Sequence, residues 1–156
     1  MRKSVLVVSA ILAACGGHSG SAPTTPVASS GQAIREFMKA AADSNLTRMA
    51  QLWGSSRGPA AETHQPADYE KRLAVIQAYL RADSSKVISD VQVTGDENHR
   101  KLLVAVYRSG GCMKQVPATL SRIKGAWVVT NIDLVAAGNP ARPCEGASTV
   151  PDGLTR

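Results

Sequence analysis

The residues with the widest chemical reach are His64, His99, Asp90, Asp133 and the run Trp53-Gly54-Ser55-Ser56-Arg57-Gly58-Pro59. A histidine titrates near neutral pH and works as a general acid or base once a carboxylate or nucleophile converges on it. His64 falls in a connection before a helical pattern, and His99 in a turn beside Asp96, Glu97, Arg100 and Lys101, so both read as solvated loop residues. Asp133 alternates with Ile132 and Leu134, and Asp90 is out of phase with Val87, Val91 and Val93. Strand alternation turns both carboxylates away from the helices. No carboxylate pair shares a helix face, no nucleophile has an evident base, and neither a phosphate loop nor a His-Glu metal motif occurs. The sequence predicts no catalytic residue, no metal and no cofactor, which argues against an enzyme.

Binding chemistry has more to work with. Trp53 offers an aromatic wall, the adjoining serines offer hydroxyls, and the Arg57 guanidinium can hold a carboxylate or phosphate. Trp53, Arg57 and Tyr69 are the candidate ligand-binding residues. The plainer alternative places Trp53 in the core and leaves Arg57 in solvent.

The N-terminal segment reads as an address. Arg2 and Lys3 precede the apolar run Val5 to Leu12, which is too short to span a bilayer. The string Leu12-Ala13-Ala14-Cys15 resembles the lipobox of bacterial lipoproteins. That resemblance implies a signal peptide over 1–14, removed before Cys15, and acylation of Cys15 with diacylglyceryl and often a further palmitate-like chain. Two or three acyl chains anchor firmly where a single one holds marginally. The membrane, through Cys15, is then the first expected partner. Gly16 stands where an aspartate retains many such proteins at the inner membrane, so the resemblance favours a periplasm-facing position on the outer membrane of the envelope. Residues 15–31 continue as a Gly-, Ser-, Thr- and Pro-rich tether that carries His18.

Two cysteines remain, Cys112 and Cys144. Outside the cytoplasm such a pair forms a disulfide, and closing its loop contributes roughly 3.7 kcal/mol of chain entropy. The intervening Asn139-Pro140-Ala141-Arg142-Pro143 should run extended back to the third strand, and residues 145–156 read as a polar, disordered tail.

The 156 residues, 44% hydrophobic and 19% charged, suffice for one domain, expected over 32–144. Ile34, Phe37, Met38 and Ala41 lie at helical spacing. Asp43-Ser44-Asn45 breaks that helix and caps a second one, marked by Leu46, Met49, Ala50 and Trp53 and ended by Gly54. An irregular connection leads to a third helix that opens at Pro66, with Tyr69, Leu73, Ile76, Tyr79 and Leu80 as its buried stripe. From Lys86 the period becomes two, giving strands at Lys86–Thr94, Arg100–Arg108, Cys112–Ile123 and Ala126–Val135. Pro117 suggests a bulge in the third of these. The fold class is α+β, with three N-terminal helices packed on a curved four-stranded antiparallel sheet.

Over Ala33–Ala137 that order of elements resembles the nuclear transport factor two-like superfamily of cone-shaped α+β domains. The Asp-Ser-Asn break, the second helix ending near Trp53 and the late Trp127 strand fit it. A cystatin-like sheet with fewer helices is the competing architecture. The resemblance leaves an isomerase- or dehydratase-type enzyme as the alternative to a binding domain, and it permits a homodimer through the sheet.

Both sheet faces carry apolar residues: Leu102, Val104 and Val106 alternate with Leu103, Ala105 and Tyr107, and Val128, Ile132 and Leu134 lie opposite Trp127 and Val129. One set covers the helices, and the other needs the C-terminal tail or a second copy. Eighteen basic residues against twelve acids give a net charge of +6. The basic residues are scattered without interleaved aromatics, which excludes nucleic acid and fits attraction to acidic envelope surfaces. The expectation is a non-enzymatic envelope lipoprotein that binds a small ligand or a partner protein.

Overall fold

The computed structural model describes residues 27–142, 144, 145, 148 and 149. The expected signal segment, Cys15, His18 and most of the tether lie outside the described residues, as do Pro143 and 150–156.

Helix α1 spans Ser30–Ala42, and the Ser29 side chain accepts from the Gln32 N–H at its start. Its buried residues Ala33, Ile34, Phe37, Met38 and Ala41 are the expected stripe. The packed unit also includes Val27, which is buried and accepts from the Trp127 N–H through its carbonyl. Asn45 caps α2 (Leu46–Leu52) by accepting from the Arg48 N–H at 2.9 Å, as the Asp-Ser-Asn break implied.

The next stretch is more ordered than its sequence suggests. Strands β1 (Gly54–Ser55) and β2 (Gly58–Pro59) form a small antiparallel arm, and α3 (Ala60–Thr63) adds one helical turn. Gly54 is required there, because a Cβ would sit 2.1 Å from the Gly58 carbonyl oxygen. Four helices therefore precede the main sheet where periodicity showed three, since a single turn leaves no period to detect. Helix α4 (Tyr69–Leu80) begins three residues after Pro66 and buries Leu73, Ile76 and Leu80.

The sheet is antiparallel in the order β3 (Ser84–Val93), β4 (Asp96–Arg108), β5 (Cys112–Ile123), β6 (Ala126–Ile132). Three register shifts interrupt it, between Val87 and Ser89, between Gln92 and Val93, and between Thr119 and Leu120. The register shift between Val87 and Ser89 keeps Val87 opposite buried Val104, then sets Asp90 opposite buried Leu102 and Val91 opposite exposed Lys101. Asp90 thus faces the helices and Val91 faces solvent, the reverse of strict alternation. In the β5–β6 pairing a shift between Thr119 and Leu120 puts Ile132 on the same face as Trp127 and Val129, with Val128 opposite. Pro117 makes no bulge with β4: it pairs in register with Leu103. Its carbonyl accepts from the Asp133 N–H, so its peptide groups face the end of β6, where a missing N–H costs no ladder bond.

Ile34, Phe37, Met49, Leu73 and Leu80 pack against Val104, Val106, Val116, Leu120 and Val129 as one fully buried core. On the outer face Ile88 and Val91 are 48% and 58% exposed, whereas Leu103, Tyr107 and Met113 are half-buried. After β6 the chain forms a short helix, α5 (Leu134–Ala137), and then turns at 140–142 instead of running extended. The Cys112–Cys144 disulfide is present, with Cα atoms 5.4 Å apart. Beyond it β7 (Ser148–Thr149) pairs with Cys112 and Met113, so part of the expected tail joins the sheet edge rather than covering a face.

Candidate functional site

Helices α2, α3 and α4 enclose a groove of about 450 Å³. Leu46, Ala50, Ala61 and Leu73 give it an apolar floor, and Thr47, Gln51, Glu62, Tyr69 and Glu70 supply its polar edge. The local causes can be traced. Leu46 occupies the first turn of α2, before the helix has tucked fully under its neighbours, and stays partly exposed. The single turn of α3 carries Glu62, and Tyr69 and Glu70 begin α4, where a carboxylate suits the helix dipole.

Electrostatics fixes the edge. The Tyr69 hydroxyl donates to Glu70 at 3.3 Å. Desolvation, the Glu70 charge and this hydrogen bond push the phenol above its ordinary pKa, so it remains a donor at neutral pH. Gln51 is held by an Arg48 N–H at 2.9 Å, and the other arm of Arg48 pairs with Glu36. Burial works to raise the Glu36 carboxyl, but hydrogen bonds from Arg48 and Gln32 outweigh it and hold the group below the usual glutamate value. Two carboxylates and no cation line the groove, in a chain with a net charge of +6. Such a surface suits an apolar ligand that carries a cationic or hydrogen-bond-donating group.

Of the three ligand-binding candidates, the structure brings only Tyr69 to this groove. Trp53 is half-buried, packed against the core, and its backbone forms a parallel bridge with Val129. Arg57 sits exposed at the tip of the β1–β2 arm, its N–H donating to the Ser55 hydroxyl at 3.3 Å. The arm folds Trp53 inward and carries Arg57 outward, which separates two residues only four apart in sequence.

Both histidines are exposed. His64 ends α3 in a left-handed conformation, its ring 6.2 Å from that of Tyr69. His99 lies on β4 rather than in a turn, 2.6 Å from Asp96. The Asn98 N–H and then His99 hold the Asp96 carboxyl below its usual value. Asp133 caps α5 by accepting from the Ala136 N–H. Asp90 accepts from the Ser30 hydroxyl at 2.6 Å and from Arg100 Nε at 2.7 Å, tying the start of α1 to the sheet. The bulge behind Val87 creates that contact, and strand alternation alone points away from it. Glu62 and Glu70 carry no sequence signal of a site, because a one-turn helix shows no periodicity and a carboxylate at a helix start reads as a partner of the helix dipole. Among the described residues, no cluster of His, Cys, Asp and Glu could hold a metal ion, and no helix is long and apolar enough to cross a membrane.

The folded domain is an α+β unit, helices on one face of an antiparallel sheet. No protein-family model matches the sequence, and no curated protein is significantly similar to it. Among solved structures the chain is similar to a Campylobacter jejuni protein provisionally called an NTF2-like transpeptidase, with 11% identity and a TM-score of 0.47 over 64% of this chain and 95% of that one. It is also similar to an NTF2-like protein of unknown function from Shewanella oneidensis MR-1, with 10% identity and a TM-score of 0.44 over 65% of this chain and 91% of that one. The α+β architecture itself stands on the chain's own strand order and register.

Proposed function

We propose that the chain is a lipid-anchored binding protein of a bacterial envelope, held by Cys15, whose NTF2-like α+β domain takes up a small ligand or a short segment of a partner in the α2–α3–α4 groove. One observation carries the reading: an apolar floor edged by Glu62, Glu70 and the Tyr69 hydroxyl, without a lining cation, in a basic chain. A ligand with an apolar body and an ammonium or guanidinium group meets both requirements. The interior under the sheet is filled by Phe37, Ile34, Val104 and Val106, which leaves the helical surface as the place for recognition.

The test is a binding titration of the oxidised protein with two sets of acetylated tripeptides, matched in apolar content and differing in whether they carry arginine or glutamate. Arginine peptides are expected to bind, and Glu62→Gln with Glu70→Gln to weaken them about fivefold per charge. Equal binding of both sets, or binding indifferent to the two substitutions, would remove the groove from the mechanism.

A further inference from the structure

We infer that the solvent face of α4, together with α5, docks on an anionic bilayer surface. The inference deepens the proposed function and rests on its lipid anchor, which would keep a bilayer always within reach.

Helix α4 departs from the usual amphipathic design. Its core stripe is Leu73, Ile76 and Leu80, but the opposite face presents Ala74, Val75 and Ala78, all exposed, where a surface helix ordinarily carries charge. Val75 is 51% exposed. Beside it α5 projects Val135, which is 91% exposed, the highest value among the large hydrophobics of the described residues. Tyr79, Leu134 and Pro140 fill the furrow between the two helices, a shallow opening of about 480 Å³. The result is a continuous apolar surface that projects rather than encloses.

Its rim is positive. Lys71 stands one helical turn before Val75, Arg81 ends α4, and the Lys114 side chain approaches within 3.3 Å of the position a Cβ would take on Gly138 in the furrow wall. None of these three is in an ion pair among the described residues. Three carboxylates stand nearby, Asp133 accepting from the Ala136 N–H, Glu145 lying 3.6 Å from Arg142, and Asp83 accepting from the Ser109 hydroxyl; with Arg108 and Arg142 the cations number five against these three. Lys114 also donates to the Glu145 carbonyl at 2.5 Å, and exposed apolar side chains ringed by an excess of cations match the boundary between acyl chains and anionic headgroups. The twelve-residue step from Cys15 to Val27 spans at most about 40 Å, which keeps the start of the folded domain within that distance of the anchor.

Hydrogen exchange of the full chain reads the docking directly, with phosphatidylcholine vesicles and with vesicles containing added phosphatidylglycerol. Amides of α4 and α5 are expected to slow only on the anionic vesicles, and to lose that protection in high salt. Val135→Asp should weaken vesicle binding about tenfold, and Lys71→Gln about fivefold. Both side chains are exposed, so an unchanged circular dichroism spectrum accompanies each loss. Equal exchange on the two vesicle types, or variants that bind like the parent, would overturn the inference. So would protection that grows with protein concentration in the absence of lipid, which is the signature of a second copy. The mass of the N-terminal fragment reads the anchor separately: an unacylated terminus with anionic-vesicle protection intact removes the anchor and keeps the docking face.

Discussion

Helix α4 has two flanks that differ in nearly every physical respect. Towards α2 it borders a concave groove edged by Glu62, Tyr69 and Glu70. Towards α5 it borders a flat apolar surface around Val75 and Val135, with lysine and arginine at the rim. The same helix therefore separates a surface suited to cations from one suited to anions. The groove is assembled from three helices and is fixed by a relay of polar contacts, Glu36 to Arg48 to Gln51. The apolar flank has no such relay, and its most exposed residue sits on a four-residue helix held by one capping carboxylate. Recognition by shape calls for the first arrangement, whereas contact with a fluid surface needs only the second.

Leu73 underlies both flanks: it is fully buried and forms part of the groove floor. Leu73→Ala should cost about 2–5 kcal/mol in a denaturant titration and disable both flanks together. Loss of one flank alone would show that α4 is not their common support. A smaller effect belongs to the α5 side. Asp133→Ala removes the cap of α5 and should cost about 1 kcal/mol, with vesicle docking reduced and tripeptide binding intact. An equal loss in both assays would collapse the distinction between the flanks.

The smallest expected effect concerns the groove relay and depends on pH. The folded-state pKa of Glu36 is lowered, so its contribution is present above the unfolded glutamate value and disappears as pH falls through the folded one. Glu36→Gln should therefore cost up to about 0.5 kcal/mol at pH 7, a difference that fades as pH falls below the unfolded glutamate value and through the lowered folded one. A pH-independent difference between the two proteins would place the role of Glu36 in packing rather than charge.

Much of the architecture follows from local chemistry. The stripes of α1 and α4, the Asn45 cap and the antiparallel strands are consequences of spacing and turn residues within a few positions of one another. The Cys112–Cys144 pairing is nearly as local in logic, since two cysteines remain once Cys15 is set aside. The candidate site was legible in one residue, Tyr69, and its companions were not, because Trp53 and Arg57 are parted by an arm whose pairing depends on Gly54 meeting Gly58.

What tertiary structure decided was the direction in which side chains point after each irregularity. A strand has a period of two, so one extra residue reverses every side chain beyond it. The shift after Val87 turned Asp90 inward to Ser30 and Arg100 and left Val91 in solvent, and the shift at Thr119 moved Ile132 onto the face of Trp127. Composition and periodicity set which segments are helix or strand, because those signals repeat within each segment. A bulge is one residue long and repeats nowhere, so only the assembled sheet reveals which side of the molecule each carboxylate serves.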